Sequence, residues 1–320
     1  MGVLGQVLLY RVSEHGNFFQ FKADRGDARL RLDQALVRRV GRELKLSRTQ
    51  AQVWIDAGLV ELDGQPARRA SQALAEGTVV IVTVPDGVAR RTPPAPEEFA
   101  LDVLFEDEHL LAINKPAGVV VHPTYKHASK TVLNAVLWRL RDRPAARPGV
   151  LTRLDKDTSG LVLVALSPAA HATVQRDAHA GRVRKEYLAV VQGVPWPAAG
   201  SIQKALGRDP GDRRRVVARA DGAPSETRYD VLSSADGRSV VACELVTGRT
   251  HQIRVHLAAS GWPIVGDRTY GTPSDVIARQ ALHAWRLQLP HPVTKTRLRI
   301  EAPAPADLRA LVATAPAAWR

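Results

Sequence analysis

The sequence contains very little of several residue types that define specialised protein classes. Its 320 residues include one cysteine, Cys243, and one methionine. A single cysteine excludes an internal disulfide and any cysteine-rich zinc site, as expected for a reducing compartment. No apolar run approaches the roughly 20 residues that cross a bilayer, and residues 1–10 lack the basic start of a secretory signal. We therefore expect a cytoplasmic protein with no membrane partner.

Motifs for metal, nucleotide or serine chemistry are missing as well. The histidines form no HExxH pair, and there is no CxxC pair. The sequence has no GxxxxGK[ST] or GxGxxG phosphate-binding loop and no GxSxG nucleophile elbow. We therefore expect neither a metal nor a cofactor, and any catalysis must come from ordinary polar side chains.

Acidic residues are scarce relative to basic ones. The 45 lysines and arginines exceed the 32 aspartates and glutamates by 13, and the isoelectric point is about 10.4. Such an excess favours a polyanionic partner, with nucleic acid as the first candidate. The hydrophobic share of 45% is ample for a core, and the length favours two domains.

Residues 28–84 show the pattern of a small domain. Leu32, Leu36, Val40 and Leu44 recur at helical spacing, which predicts one apolar stripe on an otherwise basic helix. Ser47 opens a capping box for a second helix. Short strands are predicted at residues 59–62 and 79–84. We expect an N-terminal extension at residues 1–27 and a Pro-rich linker at residues 85–98.

This order of two helices and short strands resembles the small RNA-binding domain named after ribosomal small-subunit protein four. The resemblance implies RNA as a partner. The basic positions of the first helix would then contact phosphates, where arginine forks suit folded RNA. These positions are Arg38, Arg39 and Arg42.

The second domain, expected at residues 99–305, is organised around a polar loop at residues 149–160. The unbroken apolar run at residues 161–166 predicts a strand buried on both faces. The loop would therefore be held against a sheet, with Asp155 presented beside Arg153. By itself this pattern indicates a positioned carboxylate and does not define its task.

Further elements follow in the second domain. Ser167 and Pro168 start a helix, and alternation at residues 183–192 places Lys185 and Tyr187 on one strand face. Residues 204–222 are interpreted as a mobile basic loop over a site, and Thr250 as the N-cap of a later helix.

The fold class is α+β: a small N-terminal α/β domain, then a predominantly antiparallel mixed sheet flanked by helices. Residues 306–320 are predicted to be a C-terminal tail.

The polar loop and several later segments together resemble the RluA-type pseudouridine synthases. The signature is Arg153-Leu-Asp-Lys-Asp-Thr-Ser-Gly160 with the apolar strand behind it. Supporting blocks occur in the same order as in that family: Asn114-Lys-Pro-Ala-Gly118, Val183-Arg-Lys-Glu-Tyr-Leu-Ala-Val190, Thr247-Gly-Arg-Thr-His-Gln-Ile-Arg-Val-His-Leu257, Gly266-Asp-Arg-Thr-Tyr270 and Ala281-Leu-His-Ala284. The match spans about 200 residues.

The resemblance implies isomerisation of uridine to pseudouridine in RNA without a cofactor. The target base would be flipped out of its stack, at a cost of a few kcal/mol. Asp155 would be the catalytic residue, either as a nucleophile or by assisting a glycal-type elimination, and both routes stay open. Arg254 would pair with Asp155, and Tyr187 would stack on the uracil and take part in proton transfer. Residues implied to contact RNA near the target are Arg153, Arg249 and Lys185.

The resemblance also has one departure and leaves alternatives. Thr152 stands where the family usually has histidine. Histidines 251, 256 and 283 are assigned to structure or RNA contact and not to general-base catalysis. The expected substrate is large-subunit (23S) rRNA, because the appended RNA-binding domain favours it. The alternatives are a tRNA or mRNA hairpin, or a non-catalytic RNA-binding or ribosome-assembly factor. We expect a monomer.

Overall fold

The computed structural model describes residues 9–13, 16–44, 46–85, 94–124, 127, 129–212, 215–271 and 273–311. The chain divides into two compact units, residues 1–93 and 94–320. Buried apolar side chains form a core cluster in the first unit and separate clusters in the second. The predicted linker at residues 85–98 falls mostly outside the described residues.

The first unit combines two helices with a five-stranded antiparallel sheet in the order β1-β2-β5-β3-β4. Its elements are β1 (Leu9–Ser13), β2 (Gly16–Lys22), α1 (Leu32–Leu44), α2 (Arg48–Asp56), β3 (Val60–Leu62), β4 (Gln65–Pro66) and β5 (Val79–Val84). Both predicted helices are present. The apolar stripe of α1 is buried, and the Ser47 hydroxyl accepts a hydrogen bond from the Gln50 amide at the start of α2.

The boundary predicted at residue 27 differs from the structure. Strand β2 pairs with β5 from Asn17 to Lys22, so the supposed extension completes the sheet of this unit. Phe19 and Phe21 alternate on β2 and are both buried in its core. Their burial explains why this segment belongs to the domain, since two aromatic side chains contribute a large apolar area.

The second unit is built on a ten-stranded sheet with few helices. Its elements are β6 (Val103–Glu106), β7 (Leu110–Lys115), α3 (Val132–Arg139), β8 (Gly149–Val150), β9 (Ser159–Ala165), α4 (Pro168–His179), β10 (Arg184–Gln192), β11 (Ala199–Gln203), β12 (Leu206–Arg208), β13 (Val216–Ala218), β14 (Glu226–Ala235), β15 (Arg238–Leu245), α5 (Gln252–Ala259), β16 (Leu282–Pro290), β17 (Arg297–Glu301) and α6 (Ala306–Arg309). The strands run in the order β11-β14-β15-β10-β16-β9-β7-β6, with β17 added to β16 and β8 to β9.

Within this sheet, β9 and β16 pair in parallel and the other strand pairs are antiparallel. A mixed sheet that is mostly antiparallel confirms the predicted α+β class. Strand β9 is buried at every position. Leu161 and Leu163 pack in the same cluster as α4 and α5, while Val162 and Val164 pack with α3. The apolar run therefore lies between helices on both faces of the sheet, as a doubly buried strand requires.

Two predictions about this unit were wrong. Residues 204–222 are not simply a loop, because β12 and β13 pair there as a two-stranded ribbon. The ribbon forms because Leu206 and Val216 bury their side chains against Val255 of α5. The C-terminal segment is also not a tail throughout, since Leu308 and Leu311 lie in the main core cluster.

The start of the second unit lies a few residues before the predicted position 99. The Asn134 side chain donates to the Ala95 carbonyl at 2.7 Å, and the Glu97 carboxylate accepts from the Lys130 amide at 2.9 Å. These bonds attach residues 95–97 to α3 and its N-terminal turn.

No described helix is long and apolar enough to cross a membrane.

Candidate active site

A cavity of about 590 Å³ opens in the second unit beside the polar loop that follows β8. Asp155 lines it together with Tyr187 from β10 and Arg254 from α5. The cavity thus brings together the three residues that the sequence resemblance singled out as catalytic. Such a volume is in the range of pockets that hold small organic groups.

Asp155 is one end of a largely buried ion-pair chain. Its Oδ2 accepts from the Arg254 guanidinium at 2.8 Å, and the same guanidinium donates two bonds, of 2.7 and 2.8 Å, to Asp267. The Asp267 side chain is 1% exposed and the Arg254 side chain 7%, whereas the Asp155 side chain is 29% exposed. The predicted pairing of Arg254 with Asp155 is therefore present, and only the Asp155 end of the chain opens to the cavity.

The second carboxylate, Asp267, explains why Arg254 can be buried. Burial would raise the pKa of Asp267, but hydrogen bonds and charge from Arg254 outweigh it and hold the pKa below its usual value. The Thr269 and Tyr270 amides donate to Asp267 at 2.9 and 3.1 Å. A bidentate pair of this kind fixes the guanidinium plane. Sequence reasoning missed Asp267, although it lies in the quoted block at residues 266–270.

Tyr187 lies on β10 next to an irregularity in the sheet. The register between β10 and β16 shifts between Glu186 and Tyr187, so β16 carries one extra residue there. Bulges of this kind re-aim side chains next to functional sites. Burial raises the pKa of the Tyr187 phenol and the Asp155 charge raises it further, so Tyr187 is a neutral phenol at neutral pH.

The loop that carries Asp155 is held from one side by a buried lysine. Lys115 is fully buried, and its ammonium donates to the carbonyls of Pro116, Val119 and Lys156 at 2.8, 2.9 and 2.9 Å. Burial lowers the pKa of Lys115 to about 7, although Asp157 and Asp155 act to raise it. Sequence reasoning quoted Lys115 within a block but did not assign it this anchoring role.

The same loop is held from the other side by residues around β16. Arg279 donates to the Asp157 carbonyl at 3.3 Å, and Gln280 donates to the Thr158 hydroxyl at 3.2 Å. Arg279 is itself oriented by Asp307 of α6, through bonds of 2.8 and 2.9 Å. The loop therefore has a fixed path, as a positioned carboxylate needs.

The Thr152 side chain has a structural partner. Its hydroxyl accepts from the Leu163 amide at 2.8 Å. It lines the cavity but makes no described hydrogen bond to Asp155. Thr152, which replaces the histidine usual in the family, therefore hydrogen-bonds to strand β9 and not to Asp155. The ion pair between Asp155 and Arg254 is intact.

Helix α5 begins differently from the prediction. The N-cap is His251, in left-handed conformation with φ 54° and no side-chain capping bond, and not Thr250. The start is stabilised instead by Gln252, whose side-chain oxygen accepts from the Arg249 amide at 3.0 Å and whose side-chain amide donates to the Glu226 carbonyl at 2.9 Å. His251 Nε2 lies 3.8 Å from Asp155 Oδ1 as a result of this turn.

The predicted RNA contacts near the target all line the cavity. Arg153 and Arg249 are exposed, and Lys185 is partly exposed on the same strand as Tyr187. Burial lowers the pKa of Lys185. Among the described residues, no carboxylate pairs with any of these three cations. The cavity is thus bordered by positive charge, which favours a phosphate backbone.

The basic face of α1 carries charges that are partly paired. Arg38 donates to Asp27 at 2.7 Å and Arg39 donates to the same carboxylate at 2.8 Å, while Asp24 contacts both arginines. Asp27 is fully buried. The Arg38 side chain nevertheless stays 44% exposed and Arg39 17%. The Arg42 side chain lies outside the described part of the chain.

Comparisons with known proteins agree with this architecture. Residues 109–259 match the family model for RNA pseudouridylate synthase, and residues 30–80 match the S4 domain model. A ribosomal large subunit pseudouridine synthase D of Nitrosomonas europaea is 37% identical over 93% of this chain and 88% of its own length. The chain therefore belongs to the RNA pseudouridine synthase family, and it is an isomerase that makes pseudouridine in RNA.

Other relatives give the same assignment. A ribosomal large subunit pseudouridine synthase D of Xanthomonas campestris is 38% identical over 84% of both chains. An uncharacterized RNA pseudouridine synthase of Bacillus subtilis is 38% identical over 83% of this chain and 88% of its own. The solved structure of human RNA Pseudouridylate Synthase Domain Containing 1 superimposes with a TM-score of 0.54 at 30% identity, covering 64% of this chain and 83% of that one.

These findings confirm the predicted family, the enzyme class and the S4-type domain. They favour an enzyme over the non-catalytic alternative. Among the described residues, no group of three acidic, histidine or cysteine side chains could hold a metal ion.

Proposed function

We propose that this chain isomerises uridines of large-subunit rRNA, with Asp155 as the catalytic carboxylate. The observation that carries the proposal is the ion-pair chain of Asp155, Arg254 and Asp267, in which only the Asp155 end is exposed to the cavity. Arg254 holds Asp155 on one oxygen while Asp267 neutralises the rest of the guanidinium. The charge-assisted hydrogen bond from Arg254 orients the Asp155 carboxylate, and both candidate routes need a positioned carboxylate.

The chemistry assigns each residue a distinct task. The C1′–N1 bond of the flipped uridine breaks, the detached uracil turns, and a C1′–C5 bond forms. The proton on C5 then leaves and N1 gains a proton, so atoms and charge balance. Asp155 acts on the sugar or the base in this sequence. Tyr187 offers an aromatic face to the uracil and, as a neutral phenol, a hydroxyl that can donate.

The surrounding cations support binding of the RNA chain. Arg153, Arg249 and Lys185 would contact phosphates on either side of the flipped nucleotide, since phosphate contacts position a nucleic acid. Arg38, Arg39 and Arg42 of the S4 domain would add a second footprint. The choice of large-subunit rRNA over tRNA rests on relatives named for that substrate.

A direct test uses large-subunit rRNA that lacks pseudouridine. We expect the purified protein to form pseudouridine at defined positions, mapped by chemical modification and primer extension, and to leave a tRNA pool unmodified. Asp155→Asn keeps the size of the side chain and removes its charge. It should abolish product, a loss of at least about 10⁴-fold, as expected for a residue that reacts directly.

A matched control is Asp142→Asn, an exposed aspartate outside the cavity lining. Its described contact is a 3.7 Å ion pair with the neighbouring Arg141, so this variant should retain activity. Product formation by Asp155→Asn at the wild-type rate would refute the catalytic assignment. Modification of tRNA in place of rRNA would refute the substrate assignment and leave Asp155 untouched.

A further inference from the structure

Hydrogen bonds connect the β12–β13 ribbon to the cavity. The Val216 amide of β13 donates to Tyr270 Oη at 2.9 Å, and Tyr270 Oη lies 2.7 Å from His251 Nδ1. The other ring nitrogen of His251 lies 3.8 Å from Asp155 Oδ1. The series therefore runs from the ribbon through two side chains to the carboxylate.

The direction of each bond follows from the donors available. Tyr270 Oη accepts the Val216 N–H, and its own hydrogen finds an acceptor if His251 Nδ1 carries no proton. His251 Nε2 then carries the proton and faces a carboxylate, which favours a protonated nitrogen. Burial lowers the pKa of His251, so one proton on the ring is the expected state at neutral pH.

One oxygen of Asp155 is thus hydrogen-bonded, and a second side chain lies near the other oxygen. Arg254 donates to Oδ2 at 2.8 Å, and His251 Nε2 faces Oδ1 at 3.8 Å. The 3.8 Å contact is longer than a hydrogen bond, and catalytic hydrogen bonds often reach their full geometry only when substrate is bound. A hydrogen bond from His251 to the second oxygen would restrict rotation of the carboxylate, which matters when one oxygen must meet a carbon atom.

The ribbon brings positive charge to the same residues. Arg215 follows its turn, is exposed, and places its guanidinium 5.7 Å from the centre of the Tyr270 ring. Arg254 lies 5.0 Å from the centre of that ring. Leu206 and Val216 pack with Val255 and Tyr270. A phosphate bound by Arg215 would therefore restrain the Tyr270 ring through the Arg215 guanidinium.

We propose that Tyr270 and His251 are positioning residues that couple RNA engagement by the ribbon to the orientation of Asp155. The inference rests on the proposed function, in which Asp155 is catalytic. It assigns the ribbon two effects: binding phosphate, and holding the Val216–Tyr270–His251 series in place during the reaction.

The test is Tyr270→Phe, which removes one hydroxyl group. The backbone amide that donates to Asp267 and the ring beside Arg254 and Arg215 all remain. Tyr229→Phe is the matched control, because the Tyr229 hydroxyl donates at 3.1 Å to Pro197 and does not line the cavity. With an rRNA fragment carrying 5-tritiated uridine, we expect kcat of Tyr270→Phe to fall about tenfold. KM should stay within about twofold, and the control should match wild type.

A spectroscopic readout separates coupling from general damage. Histidine labelled with ¹⁵N should show Nε2–H and an unprotonated Nδ1 for His251 in the free wild-type protein, with the signal assigned by its loss in His251→Gln. Tyr270→Phe should shift the Nδ1 resonance and leave the His283 signals unchanged. A proton on Nδ1 in the wild type, or an unchanged kcat in Tyr270→Phe, would overturn the proposal.

The ribbon side is tested by a double-mutant cycle. Arg215→Ala should raise KM and lower kcat in the wild-type background, whereas in Tyr270→Phe it should raise KM alone. Additive effects on kcat would refute coupling through Tyr270. If Asp155→Asn remains active, the proposed function fails, but the His251 resonances still report whether the series exists.

Discussion

At the scale of single residues, His283 is a buried side chain that supports the Asp155 loop and carries no charge at neutral pH. Its Nδ1 lies 2.9 Å from the Ser159 hydroxyl, and its Nε2 lies 3.1 Å from the Ala302 carbonyl. A carbonyl can only accept, so Nε2 carries the proton and Nδ1 accepts from Ser159. Burial lowers the pKa of His283 to about 4. The His283 ring is therefore neutral and supports the end of the loop through its hydrogen bond with Ser159.

This pKa predicts a loss of stability in acid. From the ordinary value of 6.5 down to about 4, the unfolded chain takes up a proton that the folded chain does not. The contribution is present above pH 6.5 and is lost as pH falls toward 4. A shift of this size corresponds to roughly 3 kcal/mol. We expect the stability advantage of wild type over His283→Gln, measured by urea unfolding, to shrink by about that amount between pH 7 and pH 4.

Comparing the two proteins at each pH cancels the other titrating groups, including the buried His256, whose pKa burial also lowers. A stability difference that does not change with pH would mean that His283 accepts a proton in the folded state.

At the scale of elements, the parallel contact between β9 and β16 places the reactive loop. The pairing is short, His283 with Ser159 and Ala284 with Gly160. Gly160 has φ +106°, and a Cβ built there would lie 2.2 Å from the Ala284 carbonyl oxygen. Only glycine allows the two strands to approach this closely, and Asp155 lies five residues before that contact.

Gly160→Ala should therefore be strongly destabilising. The added Cβ would clash with backbone atoms of Ala284, which cannot move away as a flexible side chain can. We expect a loss of about 3 kcal/mol or more in the free energy of unfolding. Gly193→Ala is the matched control, because Gly193 has φ +83° and nothing lies within 4 Å of its built Cβ. It should cost about 1 to 2 kcal/mol from its backbone conformation alone. Urea unfolding of both variants gives the comparison, and equal losses would refute the close approach.

At the scale of the whole molecule, an excess of 13 positive charges serves an enzyme whose substrate is a polyanion. Not all of this charge is available to RNA. In the first unit, Arg38 and Arg39 also neutralise the buried Asp27, so the same guanidinium groups stabilise the domain and present positive charge. A substitution there changes both properties, and the experiment must separate them.

Replacing Arg38, Arg39 and Arg42 with glutamine removes the charge and keeps an amide donor for Asp24 and Asp27. We expect weaker rRNA binding and a flatter dependence of log K on log salt, by up to about 0.7 to 0.9 for each phosphate that is no longer neutralised. Arg68→Gln with Arg69→Gln is the control, since both are exposed and outside α1. Binding titrations from low to moderate salt give the slopes, and circular dichroism verifies folding. An unchanged slope in the triple variant would exclude this face as a footprint.

The sequence by itself determined the features that depend on neighbouring residues. Helical spacing predicted α1, the serine caps predicted the starts of α2 and α4, and the apolar run predicted a doubly buried β9. Ordered blocks identified the family, and with it Asp155, Tyr187 and Arg254 as candidates. Local periodicity and short motifs carry this information because capping and side-chain alternation act over a few residues.

Tertiary structure alone decided what depends on distant pairing. Arg254 meets Asp155 across 99 positions of sequence, and Asp267 joins them although no local pattern marked it as a partner. The N-terminal strands became part of a sheet, and a supposed loop became a ribbon that contacts Tyr270. These arrangements arise because buried charges require partners wherever the fold brings them together, and strand register is set by which apolar faces meet.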